Sequence, residues 1–194
     1  MTAPLLELDG ISKLYATRKV RVQAVQDVSL RIEPGMTYGL VGESGCGKTT
    51  VGRMVVGLAR PTAGTIRYKG TDVRSVNKDE LASAIQMIFQ DPYSSFNPRL
   101  SVGETLMETL VIRRRGSRVQ RRAKVIETLE RVGFAEQDFD KLPHQFSGGQ
   151  RQRIAIARAI IVQPQLVVCD EPVSALDVSL QAQVLNLLKD MQKE

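Results

Sequence analysis

Residues 42–50 read Gly42-Glu43-Ser44-Gly45-Cys46-Gly47-Lys48-Thr49-Thr50. The string fits the pattern G-x-x-x-x-G-K-[ST], with Gly42, Gly47, Lys48 and Thr49 in its fixed places. Glycines let the backbone curl until several N–H groups face phosphate oxygens together, and a helix starting there points its positive dipole end at them. The lysine reaches the outer phosphates, and the threonine hydroxyl can ligate magnesium. The string therefore predicts a phosphate-binding loop, in which all nine residues are candidate nucleotide contacts.

The residues around this loop predict alternating strands and helices. An apolar run at 38–41 leads into the loop and predicts a strand, and a helix is predicted from Lys48 to about Gly57. A turn is predicted at 33–35, and further strands are predicted at 5–8, 28–32, 65–68 and 85–89. Residues 166–169 are wholly apolar, which predicts a short strand buried on both faces.

Two carboxylates, Asp170 and Glu171, follow that last strand. Adjacent strand residues point to opposite faces, and a turn at Pro172 can re-aim the second side chain. Asp170 then suits the shell of a magnesium ion, and Glu171 suits the activation of an attacking water. Together with the phosphate loop, the pair predicts the second half of an ATPase site.

A helical insert is predicted between the phosphate loop and the acid pair. A loop rich in Pro, Ser and Asn leads into helices, which also continue the chain after the acid pair at 180–191. We therefore predict an α/β fold: a core at 1–89 with the phosphate loop, a helical subdomain at 90–163, and the continuation of the core at 164–194. The core sheet is predicted to be mostly parallel, with antiparallel strands near the N-terminus. The apolar helix faces are predicted to be Val102, Leu106 and Leu110 in one helix, and Val119, Ala123, Ile126 and Leu129 in the next.

Composition narrows the classes of function. The 194 residues are 42% hydrophobic and 25% charged, as in ordinary globular domains. No uncharged apolar run approaches the roughly 18–20 residues of a membrane span. The first ten residues lack the pattern of a secretory signal, and two cysteines are too few for a disulfide framework. We therefore expect a reducing, cytoplasmic compartment.

The net charge of +6 is local to one run. Without that run, 20 basic residues face 21 acidic ones. A run of this kind binds nucleic acid in some proteins, but a solvated helix face is its usual explanation, so its function stays open at this point. It contains Arg113, Arg114, Arg115, Arg118, Arg121, Arg122 and Lys124, with no acid between them.

Residues 146–150 read Phe146-Ser147-Gly148-Gly149-Gln150. The string resembles the signature sequence of ATP-binding cassette (ABC) ATPases, which usually begins with leucine. A serine and two glycines that open a helix offer a hydroxyl and a positive dipole end to phosphate, which agrees with that resemblance. The resemblance implies that Ser147, Gly148, Gly149 and Gln150 act on the ATP held by a partner subunit.

Other parts of the chain resemble the same family. Gln90 matches the glutamine that links the magnesium site to the helical subdomain, and residues 174–177, which end at Asp177, match the D-loop. Tyr15 lies where the family places an aromatic ring that stacks on adenine. The resemblance implies that ATP is bound by Tyr15, residues 42–50 and Gln90. It also implies Mg²⁺ ligation by Thr49, Gln90 and Asp170, and catalysis by Glu171.

Two strings narrow the resemblance to one branch of the family. Residues 89–99 read Phe-Gln-Asp-Pro-Tyr-Ser-Ser-Phe-Asn-Pro-Arg and residues 143–147 read Pro-His-Gln-Phe-Ser, which is similar to the ATPase subunits of dipeptide, oligopeptide and nickel importers. The resemblance implies an importer motor on the cytoplasmic face of the membrane. Its expected partners are a second ATPase subunit, identical or homologous, integral membrane permease subunits and, indirectly, an extracytoplasmic solute-binding protein.

Two other functions of ABC-type ATPases stay open, namely action on nucleic acid and a role in phosphonate breakdown. The basic run favours the first, but the chain lacks coiled-coil insertions, zinc modules and tandem cassettes, and it has no aromatic platform near the run. We therefore expect no nucleic-acid partner. The string at 93–99 favours an importer over phosphonate breakdown.

The family pattern continues, after the D-loop, with a further parallel strand and a switch histidine that contacts the γ-phosphate. Neither occurs before Glu194. We therefore expect a C-terminally truncated subunit that binds nucleotide but has poor or no ATP turnover.

Overall fold

The computed structural model describes residues 3–16, 20–91, 96–113, 116–174 and 176–193. The chain divides into two compact units, an N-terminal unit of residues 1–85 and a C-terminal unit of residues 86–194. Part of the importer-like string (Pro92 to Ser95), two arginines of the basic run (Arg114 and Arg115) and one D-loop residue (Ala175) lie outside the described residues.

An antiparallel sheet of four strands forms the N-terminal unit. The strands are β1 (Leu6–Ala16), β2 (Arg21–Ile32), β3 (Ala63–Tyr68) and β4 (Thr71–Asp72), in the order β2-β1-β3-β4. Leu8 of β1 lies opposite Leu30 on one side and Ile66 on the other. The predicted strands near 5–8, 28–32 and 65–68 are confirmed, although the first two are much longer than the patterns indicated.

Two helices accompany this sheet, α1 (Lys48–Val55) and α2 (Lys78–Ala84). Leu6 and Leu8 are buried, and a register shift at Gly10, where φ is +58°, turns the next buried side chain to Ile11. Met54 of α1 is also buried. The helix predicted from Lys48 is confirmed, and it ends two residues earlier than predicted.

The strand predicted at 38–41 is wrong. These residues have no regular structure, and Val41 is 92% exposed. A strand requires backbone hydrogen bonds to a neighbouring strand, and none of the described strands pairs with this segment. The predicted turn before it is confirmed, because the Met36 N–H donates to the Glu33 carbonyl at 3.2 Å.

The C-terminal unit consists mainly of helices. Its helices are α3 (Val102–Ile112), α4 (Arg118–Arg131), α5 (Gly148–Ile160) and α6 (Val178–Lys193), with short 3-10 turns at Glu136–Asp138 and Pro143–Gln145. Two strands, β5 (Ile85–Ile88) and β6 (Leu166–Cys169), form a separate two-stranded sheet. Leu106, Val125, Leu129 and Ile154 form the centre of a core built by α3, α4 and α5.

Serine side chains define where three of these helices begin. Ser101, Ser117 and Ser147 each accept a hydrogen bond from the backbone N–H three residues later, at 3.1, 3.4 and 3.3 Å. The side-chain oxygen of the glutamate or glutamine at that third position accepts a hydrogen bond from the backbone N–H of the serine. Each helix therefore starts with a reciprocal capping box, which satisfies two backbone donors that a helix end leaves open.

The apolar face predicted for α3 is confirmed, whereas the one predicted for α4 is wrong in part. Val102, Leu106 and Leu110 are buried. In α4, however, Val119 is 79% exposed and Ala123 is exposed. The predicted Leu129 is buried and Ile126 packs against the core, which also receives Val125. The first turn of α4 is not covered by the core, so the buried face begins one turn later.

The strand predicted at 166–169 is confirmed in position but is not buried on both faces. Its first three residues are half-buried, and Cys169 is exposed. Val167 packs against a cluster that contains Ile88, Ile156 and Val184, so one face is covered. The apolar pattern predicts a strand but does not specify which of its faces another element covers.

No helix among the described residues combines the length and the apolar character that crossing a bilayer requires.

The start of α3 should tolerate no side chain at Gly103. A Cβ atom there would overlap the ring of Phe139, which is buried, and the Gly103 N–H is tied to the Phe139 carbonyl at 2.8 Å. Gly103→Ala should lower the free energy of unfolding by about 1–3 kcal/mol, as overpacked cores do. Gly148→Ala is the matched control, because Gly148 also lies in a first helical turn but has open space at its Cβ. Urea titration of both variants checks this, and equal midpoints would contradict the packing.

Candidate functional site

The phosphate loop ends in a left-handed glycine. Gly47, at φ +101°, is the N-cap of α1, and a Cβ atom there would overlap the backbone carbonyl oxygen of Ala24 in β2. Both the dihedral angle and the close approach require glycine at this position. The helix therefore begins directly against the sheet, and Lys48 becomes its first residue.

The Lys48 ammonium folds back over the loop. Its Nζ donates to the carbonyl oxygens of Gly42 and Glu43, both at 2.8 Å. The Cys46 N–H donates to the Glu43 carbonyl at 3.3 Å, which closes the loop into a turn. The cation is thus held by neutral carbonyl oxygens, which anionic phosphate oxygens would replace with stronger, charge-assisted hydrogen bonds. Glu43, Ser44 and Gly45 are exposed around it, and Thr49 and Thr50 are half-buried in the first turn of α1.

A pocket of about 390 Å³ opens beside this loop. Its volume lies within the range of small-molecule sites. Residues 23–26 and 28 of β2 form one wall, Leu40 and Val41 lie at its edge, and residues 46–48 and Val51 complete it. The phosphate loop therefore adjoins a concave surface within the N-terminal unit.

Tyr15 is not among the residues that line this pocket. It lies in β1 opposite Val22 of β2, with its side chain 43% exposed. The Lys13 ammonium lies 5.0 Å from the centre of its ring. The ring is accessible, and its face already attracts a cation.

In the C-terminal unit, three side chains meet at the ends of β5 and β6. The Gln90 amide nitrogen donates to a carboxylate oxygen of Glu171 at 3.0 Å and to the Ser174 hydroxyl at 3.3 Å. The Ser174 hydroxyl donates to the Glu171 carbonyl at 3.1 Å. Next to them, the Asp170 N–H donates to the Ile88 carbonyl at 2.9 Å, which ties the two strands together. The structure thus brings Gln90, Glu171 and Ser174 into one cluster, with the backbone of Asp170 beside it.

Glu171 has a left-handed backbone, with φ of +46°. Residues other than glycine rarely adopt this conformation, and it persists only where the surrounding structure holds it. Here the turn redirects the chain immediately after β6, so the Glu171 carboxylate reaches the Gln90 amide.

Ser147 caps α5 by the capping box described above, so its hydroxyl oxygen accepts from the Gln150 N–H. Gly148 has open space around it, whereas a Cβ atom at Gly149 would lie 2.6 Å from a methyl carbon of Leu180 in α6. Gly149 therefore permits close packing of two helices, and Gly148 leaves the helix end accessible. An accessible helix N-terminus can receive an anion.

Asp177 caps α6. Its carboxylate accepts from the Leu180 N–H at 3.0 Å and from the Ser179 hydroxyl at 2.8 Å. The first of these bonds, helped by the second, lowers the pKa of Asp177 below its ordinary value. The residue therefore stays ionised at neutral pH and stabilises the start of the last helix.

Sequence reasoning did not single out two contributors. Ser174 contacts both Gln90 and the Glu171 backbone, yet it stood in the sequence only as part of a family string. Ala24 supplies the carbonyl that requires Gly47 and lies in the pocket wall, 23 residues before it. No local pattern marks either contact, because each joins residues from different elements.

Comparisons with known proteins agree with the predicted family. Residues 25–174 match the ABC transporter family. The chain is 46% identical over 200 residues to the dipeptide transport ATP-binding protein DppF of Haemophilus influenzae, covering 98% of this chain and 61% of that protein. It is 47% identical over 199 residues to the oligopeptide transport ATP-binding protein OppF of Bacillus subtilis, covering 100% of this chain and 65% of that protein. The chain thus spans less than two thirds of the length of these relatives.

The solved structures give the same result for the fold. The chain is similar to the dimeric post-hydrolysis state of the ATP-binding cassette MJ0796 bound to ADP and Pi, with a TM-score of 0.85 and 30% identity. The match covers 97% of this chain and 83% of that one. The predicted fold class, a P-loop α/β core with an inserted helical subdomain, is confirmed.

The geometry of the phosphate loop predicts the effect of removing the Lys48 ammonium group. Lys48→Ala should weaken ATP binding about tenfold or more, because hydrogen bonds to charged groups are among the strongest that a site can lose. Lys78→Ala, which removes an exposed lysine from the first turn of α2, is the matched control and should leave affinity unchanged. Titration with a fluorescent ATP analogue in the presence of magnesium measures both. Equal affinity in the Lys48 variant and the parent would mean that the phosphates bind elsewhere.

Proposed function

The chain belongs to the ABC transporter family, and on that premise we propose that it is the ATP-binding subunit of an importer. In this function, ATP binding and hydrolysis drive the uptake of peptides or a related solute such as nickel. The observation that carries the proposal is the phosphate loop, in which a left-handed Gly47 sets the Lys48 ammonium over the loop at the start of α1. The names of the relatives, which describe dipeptide and oligopeptide transport, support the class of solute.

Nucleotide binding falls to the N-terminal unit in this proposal. The backbone N–H groups of residues 42–50 surround the phosphates, and Lys48 neutralises their outer charge. The adjoining pocket of about 390 Å³ is the space next to the phosphates for the rest of the nucleotide. Tyr15, which is exposed, supplies a ring face for the adenine.

Mg²⁺ is the proposed metal, and the family resemblance implies Thr49, Gln90 and Asp170 as its protein ligands. These residues offer a hydroxyl, an amide carbonyl and a carboxylate, which is the oxygen chemistry that magnesium prefers. At Gln90, the amide nitrogen is the atom that donates to Glu171, so the amide oxygen is the end that suits a cation. Bound there, the ion would neutralise the charge that develops on the phosphates.

Glu171 is the proposed catalytic residue. A carboxylate at this position orients an attacking water and accepts its proton. The hydrogen bond from Gln90 fixes the direction of that carboxylate, and Ser174 in turn holds both the Gln90 amide and the Glu171 backbone. In this proposal Asp170 holds the metal and Glu171 activates the water, and the left-handed backbone of Glu171 directs its carboxylate to Gln90.

A second ATPase subunit, identical or homologous, is the proposed soluble partner. Ser147, Gly148, Gly149 and Gln150 would act on the nucleotide of that subunit through the accessible start of α5, and Asp177 belongs to the same interface. The dimeric state of the similar cassette supports this arrangement. Membrane permease subunits and, indirectly, a solute-binding protein complete the proposed importer, with this chain at the cytoplasmic face of the membrane. The division at 1–89, 90–163 and 164–194 into core, helical subdomain and core continuation stays a prediction.

Replacing the proposed catalytic carboxylate separates binding from hydrolysis. Glu171→Gln keeps the shape of the side chain but removes the charge that activates water. In the assembled subunit it should reduce steady-state phosphate release at least about a hundredfold, while ATP affinity stays within about twofold of the parent. An ATP-bound dimer should then accumulate in size-exclusion chromatography.

The matched control is Glu130→Gln, the same chemical change at an exposed position of α4. It should leave both rate and affinity unchanged. A Glu171 variant that hydrolyses ATP at the parent rate would remove this residue from the mechanism. Loss of ATP binding in the same variant would instead mean that Glu171 has a structural role.

A further inference from the structure

The junction of α3 and α4 carries a surface that nucleotide chemistry does not use. Helix α3 ends at Ile112 and α4 begins at Arg118, so the last turn of one and the first turn of the other form the end of a helical hairpin. We call the described residues Val111, Ile112, Arg118, Val119 and Arg121 the hairpin tip. All of them belong to the C-terminal unit.

Large aliphatic side chains protrude from the hairpin tip. Val111 is 46% exposed, Ile112 is 72% exposed and Val119 is 79% exposed. The residues just behind them are buried, since Leu110 is 3% exposed and Val125 is fully buried. The hairpin therefore has a well-packed base and an apolar end, so these three side chains do not serve the core. Aliphatic side chains this exposed are available for contact with an apolar phase or a partner surface.

The charge around these side chains has one sign. From residue 111 to residue 121 the sequence contains five arginines and no acid. Beyond this stretch, Arg122 pairs with Glu136 at 3.3 Å and Lys124 pairs with Glu127 at 2.9 Å. The stretch that contains the exposed aliphatic residues is therefore strongly basic in sequence.

We propose that the hairpin tip binds the surface of anionic lipid bilayers. Ile112 and Val119 enter the boundary between headgroups and acyl chains, and Arg118 and Arg121 extend to the lipid phosphates. Exposed aliphatic residues in an arginine-rich stretch match such a surface in both polarity and charge, because long basic side chains keep their charge in the headgroup layer while their neighbours are buried.

The chemistry of the hairpin tip favours lipid over nucleic acid. Residues 111–121 contain no aromatic side chain on which a base could stack. Contact with a phosphodiester backbone would not remove three exposed aliphatic side chains from water, whereas insertion into the interfacial region of a bilayer does. The experiment below therefore compares binding to lipid vesicles with binding to duplex DNA.

Vesicle binding of the 194-residue chain tests this proposal. Partition is measured by co-flotation with vesicles of phosphatidylcholine alone, and with vesicles that contain roughly 30 mol% phosphatidylglycerol. We expect binding to the anionic vesicles only, and binding that weakens as salt is raised. Arg118→Gln with Arg121→Gln should reduce the partition coefficient about 30-fold, since each basic residue near such a surface contributes about a factor of five.

A second variant tests the apolar component independently of charge. Ile112→Ser with Val119→Ser should reduce the partition coefficient about tenfold or more, because two exposed aliphatic chains no longer enter the bilayer. Arg21→Gln with Lys78→Gln is the matched control for charge, since both residues are exposed and lie in the N-terminal unit. This control should retain nearly all binding.

Three results with vesicles would overturn the proposal: no binding to anionic vesicles at low salt, equal binding to both kinds of vesicle, or equal loss of binding in the control variant. Duplex DNA that binds more tightly than the vesicles, and is released by the two arginine substitutions, would assign the hairpin tip to nucleic acid and would also overturn it. ATP affinity is measured in every variant and should not change. Loss of vesicle binding with normal ATP affinity therefore separates the hairpin tip from the nucleotide site.

Discussion

The phosphate loop forms because one residue lacks a side chain. Gly47 passes so close to β2 that any Cβ atom would overlap the Ala24 carbonyl, and its left-handed backbone turns the chain from an open loop into a helix. Helix α1 begins at the next residue, and this places Lys48 over the loop. The antiparallel sheet therefore does more than fill the core of the N-terminal unit. It sets where the loop ends and provides one wall of the adjoining pocket.

In the C-terminal unit, two adjacent acids, Asp170 and Glu171, follow β6. Regular strand geometry would send Asp170 and Glu171 to opposite faces of β6. The left-handed turn at Glu171 brings its carboxylate to Gln90. The Ser174 hydroxyl links the two residues, because it accepts from the Gln90 amide and donates to the Glu171 carbonyl. This strained turn is held by hydrogen bonds to side chains that an importer ATPase would use, so local strain and proposed catalysis coincide.

The helical core of the same unit is closely packed at its base and exposed at its ends. Three capping boxes define the starts of α3, α4 and α5, and close packing at Gly103 and Gly149 brings the helices near their neighbours. The exposed ends are the proposed binding surfaces: the start of α5 for an anion, and the junction of α3 and α4 for an anionic lipid surface. Because these exposed residues lie outside the packed helical core, substitutions there should not unfold it.

The sequence by itself determined the features that depend on a few neighbouring residues. The phosphate loop, the strand before the acid pair, the apolar face of α3 and the family all follow from local strings, because glycine, serine and apolar spacing act over one or two turns of the chain. Only the tertiary structure decided that residues 38–41 form no strand, that the first turn of α4 stays exposed, and that Gln90 meets Glu171 across 81 residues of sequence. Strand pairing, burial and contacts between distant side chains each require a partner, and an amino-acid pattern does not specify where that partner lies.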